Sequence, residues 1–150
     1  MVIKNYIPLR LIAQDADDIG VVSACLQDAV AKVGDMAYLK PDRRFALVAN
    51  RFVWEEGVSK KIGPYTRVRS GIHFDDVTDV RSRGLRRDPP GAVVVVLAIR
   101  FKSGDDGTGT ISIDLAGGGC IELDVEAING SLSDISEPWR TRSKPDHKDR

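Results

Sequence analysis

The alternation of apolar and acidic side chains over residues 120–127 constrains the fold more than any other pattern in the chain. Successive side chains switch between the two types, which is the period of a strand with one buried face and one solvent face. Three glycines at 117–119 separate this strand from an apolar segment at 110–116. Glycine supplies the positive backbone angles of tight β-turns, so the two segments are predicted to form a hairpin.

Period-two patterns of the same kind recur through most of the chain and predict a β-rich fold. The most apolar of them, at residues 92–102, is expected near the centre of a sheet. The further predicted strands are residues 6–13, 35–40, 44–54, 65–74 and 77–85.

One amphipathic helix is predicted near the N-terminus. Asp15 can cap it, and apolar residues recur at three- and four-residue spacing over residues 19–33, before Gly34. Residues 128–135 show a second, shorter helical spacing.

These elements predict an α+β fold: a mostly antiparallel sheet or half-open barrel of about seven to eight strands, PH-like or similar, covered by the amphipathic helix. Residues 1–136 are expected to form a single domain, and the polar residues 137–150 a disordered tail. Trp139 either pins that tail to the domain or stays exposed.

The charge composition argues against a general nucleic-acid binder. The chain has 22 basic and 22 acidic residues, whereas such binders are clearly basic. Its two cysteines belong to no CxxC pair, which argues against a zinc site, and no metal or other cofactor is predicted. The longest apolar run is far shorter than the roughly 20 residues of a membrane span, and no signal peptide is recognisable, so we expect a cytoplasmic protein.

Arginine is concentrated in one segment of this neutral chain. Two pairs are spaced by two, which on a strand places both side chains of a pair on one face. Planar guanidinium groups collected on one surface bind carboxylates and phosphates. The alternative is that these arginines are ordinary solvated side chains on the strand faces, where their charge protects strand edges from unwanted pairing. The six arginines of the segment are Arg67, Arg69, Arg81, Arg83, Arg86 and Arg87. The pairs Arg67/Arg69 and Arg81/Arg83 are expected on neighbouring strands. Part of their charge is expected to be neutralised by Asp75, Asp76 and Asp79.

His73 lies within the same segment and is the one histidine outside the predicted tail. A catalytic histidine needs a nucleophile or a substrate proton within hydrogen-bond reach. Cys120, which follows the three glycines, is the more exposed candidate for that nucleophile, while Cys25 belongs beside the apolar stripe of the helix.

Several segments together resemble a known protein family. They are residues 11–18, 26–30, 43–55, 67–74 and 138–142. The set is similar to an uncharacterised alphaproteobacterial family that is catalogued as a domain of unknown function. The resemblance implies a bacterial origin, but no activity, cofactor or site residue.

The function expected from the sequence is therefore a non-catalytic binding or adaptor domain. Its ligand is an acidic protein or a small anion, bound by Arg67, Arg69, His73, Arg81 and Arg83. Two alternatives stay open: a small enzyme that uses His73 with Cys120 or a nearby carboxylate, and an RNA-binding module. A homodimer is compatible with the pattern, whereas nucleic-acid and membrane partners are not expected.

Overall fold

The computed structural model describes residues 6–53, 65–85 and 91–141. Within these ranges the chain forms ten β-strands and one α-helix. The strands are β1 (Arg10–Ala13), β2 (Val30–Leu39), β3 (Arg44–Phe52), β4 (Tyr65–Phe74), β5 (Val77–Arg83), β6 (Val93–Ser103), β7 (Gly109–Leu115), β8 (Cys120–Val125), β9 (Gly130–Asp134) and β10 (Trp139–Thr141), and the helix is α1 (Ala16–Leu26). The α+β, mostly antiparallel fold is confirmed, but the predicted strand count is too low.

The helix α1 begins as the sequence predicts. The side chain of Asp15 accepts a hydrogen bond from the backbone N of Asp18 at 2.8 Å, and this satisfies one of the free donors of the first turn. Its apolar stripe is buried at Ile19, Val22 and Leu26. The stripe packs the helix mainly against β6 and β1.

The prediction that the helix continues to Val33 is wrong. It ends at Leu26, and Asp28 takes a left-handed backbone conformation (φ 66°) and donates from its N to the Val96 carbonyl at 2.8 Å. Residues 29–33 fit both a helical and a strand period. Pairing of Val30 with β3 and β6 decides in favour of the strand, because it satisfies the backbone on both sides.

The strands form one curled sheet in the order β1-β9-β4-β3-β2-β6-β7-β8-β5, with β10 paired to the remaining part of one β4 edge. We call β1, β9, β4, β3 and β2 the front half, and β6, β7, β8 and β5 the back half. The sheet is not closed, but it curls until the backbone N of Val77 in β5 donates to the Arg43 carbonyl at 3.0 Å. Both halves and α1 enclose one hydrophobic core.

The predicted glycine hairpin is confirmed. The strands β7 and β8 pair throughout, and Gly117 and Gly118 adopt φ values of 87° and 95° that favour glycine. The helical interpretation of residues 128–135 is wrong, because β9 pairs with both β1 and β4. Of Ile128, Leu132 and Ile135, whose spacing suits a helix, Leu132 alone is fully buried. Strand pairing therefore outweighs the helical spacing.

The start of the predicted tail is attached to the sheet. Trp139 lies opposite Arg67 where β10 pairs with β4, and 38% of its surface is exposed. Residues 142–150 lie outside the described part of the chain. In the ranges described, no helix is both long and apolar enough to cross a membrane.

A buried ion pair joins strands from distant parts of the chain. The side chains of Arg51 and Asp134 are both 0% exposed, and Arg51 donates from Nε and Nη2 to the two carboxylate oxygens at 2.8 and 2.7 Å. The same carboxylate accepts hydrogen bonds from Ser70 Oγ at 2.7 Å, Tyr6 Oη at 2.7 Å and the Leu9 backbone N at 2.8 Å. This Asp134 cluster holds together β3, β4, β9 and the segment before β1.

The hydrogen bonds of the cluster keep Asp134 ionised. Burial raises the pKa of this carboxyl group, but the hydrogen bonds from Arg51, Leu9, Ser70 and Tyr6 outweigh burial and lower the pKa to about 2. A buried carboxylate with five donors has its charge compensated at short range. The cluster is therefore a charged structural centre at neutral pH.

Replacing Asp134 tests how much the fold depends on the cluster. Asp134→Asn leaves the Arg51 guanidinium buried without a counter-charge, so we expect the free energy of unfolding to fall by about 3–5 kcal/mol in urea titrations. Asp114→Asn is the matched control, because Asp114 binds Arg100 with the same two-bond geometry, at 2.6 and 3.0 Å, on the exposed face. The control is expected to cost much less, and equal losses in the two variants would contradict the assignment.

The cluster also predicts how stability depends on pH. The pKa of Asp134 is about 2 in the folded protein against an ordinary value of 3.8, so the stabilisation is complete above the ordinary value. It is lost as the pH falls through the folded pKa and the carboxylate takes up a proton. The stability difference between wild type and Asp134→Asn is thus expected to shrink from about pH 4 to about pH 2, in urea titrations at a series of pH values. A difference that stays constant over this range would be evidence against the role given to Asp134.

Candidate functional site

The two arginine pairs of the predicted site lie on strands that are not neighbours. Arg67, Arg69 and His73 belong to β4, between β3 and β9, whereas Arg81 and Arg83 belong to β5, which pairs with β8 at the end of the strand order. The prediction that the pairs share neighbouring strands is therefore wrong.

The turn between β4 and β5 explains this separation. Asp76 adopts φ 60°, and its carbonyl accepts a hydrogen bond from the Glu126 backbone N at 3.0 Å, so the chain leaves β4 and joins β8. Arg86 and Arg87 lie outside the described residues.

Arg67 is a packing residue on the outer face of the front half, the face that points away from the core. Its guanidinium carbon lies 4.0 Å from the centre of the Phe52 ring, and Nη1 donates to the Asn50 carbonyl at 3.1 Å. The residue is 8% exposed. Stacking on an aromatic face stabilises this buried cation, and it leaves Arg67 little surface with which to bind a ligand.

Arg69 is exposed on the same face and is well placed to bind. Its backbone is fixed, since its N donates to Ser136 Oγ at 2.9 Å and its carbonyl accepts from the Ile135 N at 2.8 Å. Among the described residues its side chain forms one ion pair, with Asp35 at the long distance of 3.5 Å, and both side chains of that pair are exposed. Such a pair contributes little and is easily exchanged for a carboxylate of another molecule.

His73 lies half-buried between Ala46 and Ser131 of the adjacent strands. Burial lowers its pKa, the nearby Arg44 lowers it further, and Asp75 opposes the shift. The imidazole is therefore mainly neutral at pH 7. Its Nδ1 is buried and finds no hydrogen-bond partner among the described residues.

The sheet order keeps His73 away from the thiol proposed as its partner. Four strands, β3, β2, β6 and β7, lie between β4 and β8 in the sheet order. Around the curl, where β5 reaches Arg43 through Val77, Cys120 pairs with Arg83 at the opposite end of β5. The Cys120 thiol is buried and donates to Asp114 at 3.6 Å. Asp75, the carboxylate close to His73, is bound by Arg44 through two hydrogen bonds, at 2.6 and 3.3 Å.

Arg81 and Arg83 lie on the outer face of the back half, which carries ion pairs between adjacent strands. Arg81 binds both oxygens of Asp124 and also Asp79, and these hydrogen bonds raise its pKa. Of the three acids expected to neutralise the arginine segment, Asp79 does so, together with Asp124 from the neighbouring strand. Arg83 is exposed opposite Cys120.

The outer face of the front half also carries apolar side chains that sequence analysis missed. Ile12, Ile135 and Trp139 are 70%, 56% and 38% exposed. Ile135 packs over Gly71, with two of its side-chain carbons 3.9 Å from the position a Cβ would take there. Residues 11–13 are all apolar, so no local pattern indicates that Ile12 faces solvent; its exposure follows from β1 lying at the edge of the sheet beside β9.

The described residues contain no group of three or more His, Cys, Asp or Glu side chains placed to hold a metal ion. Three of the five predicted site residues, Arg67, Arg69 and His73, share the outer front face, and Arg69 is the exposed one among them.

A family model matches residues 9–147 of the chain, and the family is described as a protein of unknown function, DUF2948. The chain belongs to this family. The resemblance to a domain of unknown function is thereby confirmed. No curated protein and no solved structure gives a significant match.

The cysteines of this DUF2948 protein provide a test of the Cys120–His73 hypothesis. Burial and the Asp114 carboxylate raise the pKa of Cys120, so the thiol stays protonated at neutral pH. In a Cys25→Ser variant, Cys120 is the remaining cysteine. We expect the disulfide reagent dithiobis(nitrobenzoic acid) to label it slowly in the native protein and rapidly in urea. Adding His73→Ala is expected to leave the native rate unchanged. Fast native labelling that slows with His73→Ala would instead support the dyad.

Proposed function

We propose that this DUF2948 protein is a non-catalytic binding domain that docks an acidic, partly apolar protein segment. The contact surface is the outer face of the front half. We call it the docking face, and its members are Arg10, Ile12, Arg69, His73, Ile135 and Trp139. The proposal rests on one observation: exposed apolar and basic side chains lie together on a sheet face that α1 leaves uncovered.

The apolar members support a protein partner. Ile12, Ile135 and Trp139 expose large apolar surfaces on one side of the molecule, whereas isolated exposed apolar residues are ordinary. Apolar surface rimmed by polar residues is typical of interaction sites. The bare position at Gly71 lets Ile135 lie against the sheet, which keeps this part of the face flat.

The charged members support an acidic partner. Arg10 is exposed and makes no ion pair with any described residue, and Arg69 has the long pair with Asp35 described above. Carboxylates of a partner would complement both cations, and complementary charge increases association rate and specificity. A second copy of the same face would bring like charges together, so the proposal favours a different protein over a homodimer.

The surroundings of His73 favour binding over catalysis. Its carboxylate neighbour Asp75 is occupied by Arg44, and the sheet order separates it from Cys120. A histidine acts as a general base when a nucleophile and an orienting group are positioned beside it. The contacts of His73 described above position neither, so they support no catalytic role. We therefore assign His73 to the docking face as a neutral surface residue.

The proposal is tested with immobilised poly(Glu,Tyr), an acidic polypeptide with apolar rings, and with polyglutamate, by biolayer interferometry. We expect the wild type to prefer poly(Glu,Tyr), with an affinity that falls as salt is added. Arg10→Glu/Arg69→Glu is expected to weaken binding about tenfold, as the loss of two exposed ion pairs predicts. Ile12→Ser/Ile135→Ser is expected to remove the preference over polyglutamate.

A matched control separates the docking face from the overall charge. Arg83→Glu/Arg100→Glu makes the same change in net charge on the outer face of the back half, and we expect it to alter the affinity less than about twofold. Equal weakening by the two double variants would overturn the proposal. Equal affinity for the two polypeptides, or tighter binding of polyuridylate, would overturn it as well.

A further inference from the structure

A wedge-shaped cleft opens where the curled sheet fails to close. At its narrow end the Val77 N donates to the Arg43 carbonyl at 3.0 Å, and the Tyr38 hydroxyl donates to the Val77 carbonyl at 3.1 Å. Beyond this point the described parts of β5 and β2 are not paired with each other. The cleft between them has a volume of about 380 Å³.

The opening is built into the path of β2. The register of β2 against β3 shifts between Ala31 and Met36, and before that shift its residues pair with β6. Val33 extends the attachment to that side, because its N donates to the Ala92 carbonyl at 2.9 Å. These bonds hold the first part of β2 beside β6, so it cannot also pair with β5 and close the sheet.

Core residues form the floor of the cleft. Phe45 and Ile121 belong to the hydrophobic core, with 4% and 2% of their surfaces exposed, and both line the cleft. Val80, Leu85 and Met36 line its walls, and all the described residues of the lining are uncharged. The Tyr38 hydroxyl at the narrow end is already bound to the Val77 carbonyl.

We infer that this cleft binds the uncharged apolar part of a small molecule, such as an alkyl chain, and leaves any charged group of that molecule in solvent. An unpaired charge would be costly among uncharged walls, whereas apolar surface gains by leaving water. The volume falls within the roughly 300–1,000 Å³ of small-molecule sites, which often occupy the mouths of β-barrels. The cleft opens from the core, so the inference goes beyond the function proposed for the outer front face.

A second groove gives the inference a rival location. It lies between α1 on one side and β1 with the segment before it on the other, and it is lined by Leu9, Leu11 and Val21. The groove includes the ionisable Asp17, whereas the described residues that line the cleft are all uncharged. An uncharged apolar ligand is expected in the cleft, because none of these described residues has a charge to be desolvated.

The test uses N-phenylnaphthylamine, an uncharged probe that fluoresces in apolar surroundings. We expect saturable binding to the wild type, and Val80→Trp is expected to weaken it about tenfold because the indole occupies the space of the ligand. Val93→Trp is the matched control, because Val93 is exposed on β6 outside both sites, and Val21→Trp probes the rival groove. Both are expected to bind the probe like the wild type.

A measurement on the wild type keeps the test decisive if Val80→Trp does not fold. Titration with decanol, an uncharged alkyl chain, is expected to shift the amide resonances of residues 33–38 and 80–85. It is expected to leave those of residues 20–25 in place. Shifts confined to residues 20–25, no binding by the wild type, or full binding by a folded Val80→Trp protein would each overturn the inference.

Discussion

The buried pair of Arg51 and Asp134 is the interaction on which the architecture depends. A charge is tolerated inside a protein when hydrogen bonds surround it, and Asp134 receives five. Its partners lie far away in the sequence, since Arg51 is 83 residues from Asp134 and Tyr6 is 128 residues from it. The hydrogen bonds to this carboxylate therefore require the segment before β1 and the end of β9 to meet beside β3 and β4.

The outer faces of the two halves of the sheet differ in how their exposed arginines are paired. On the back half, two exposed arginines are paired across strands, Arg81 with Asp124 and Arg100 with Asp114. The front half exposes Ile12 and Ile135 beside Arg69, whose ion pair with Asp35 is long, and Arg10, which pairs with no described residue. A face whose charges are satisfied internally has less to offer a partner. This contrast is what distinguishes the docking face.

Local patterns predicted several elements closely, and failed where two periods competed. The bounds of β4 and the hairpin of β7 and β8 follow from alternation and turn glycines, which depend on adjacent residues alone. Residues 29–33 and 128–135 carry apolar spacings that also suit a helix. Their strands are decided by partners elsewhere, namely β3 and β6 for Val30, and β1 and β4 for Leu132. Among site residues, Arg67 and Arg69 look alike in sequence, yet the ring of Phe52 buries one and leaves the other exposed.

The sequence by itself determined the α+β class, the start of the helix, most strands and the concentration of arginine, because periodicity and turn chemistry act between near neighbours. The tertiary structure decided which of those residues share a surface. Strand order arises from hydrogen bonds between residues far apart, so it placed Arg69 with Ile12 and Ile135 and sent Arg83 to the other half. The cleft has the same origin, because it exists where the paths of β2 and β5 diverge.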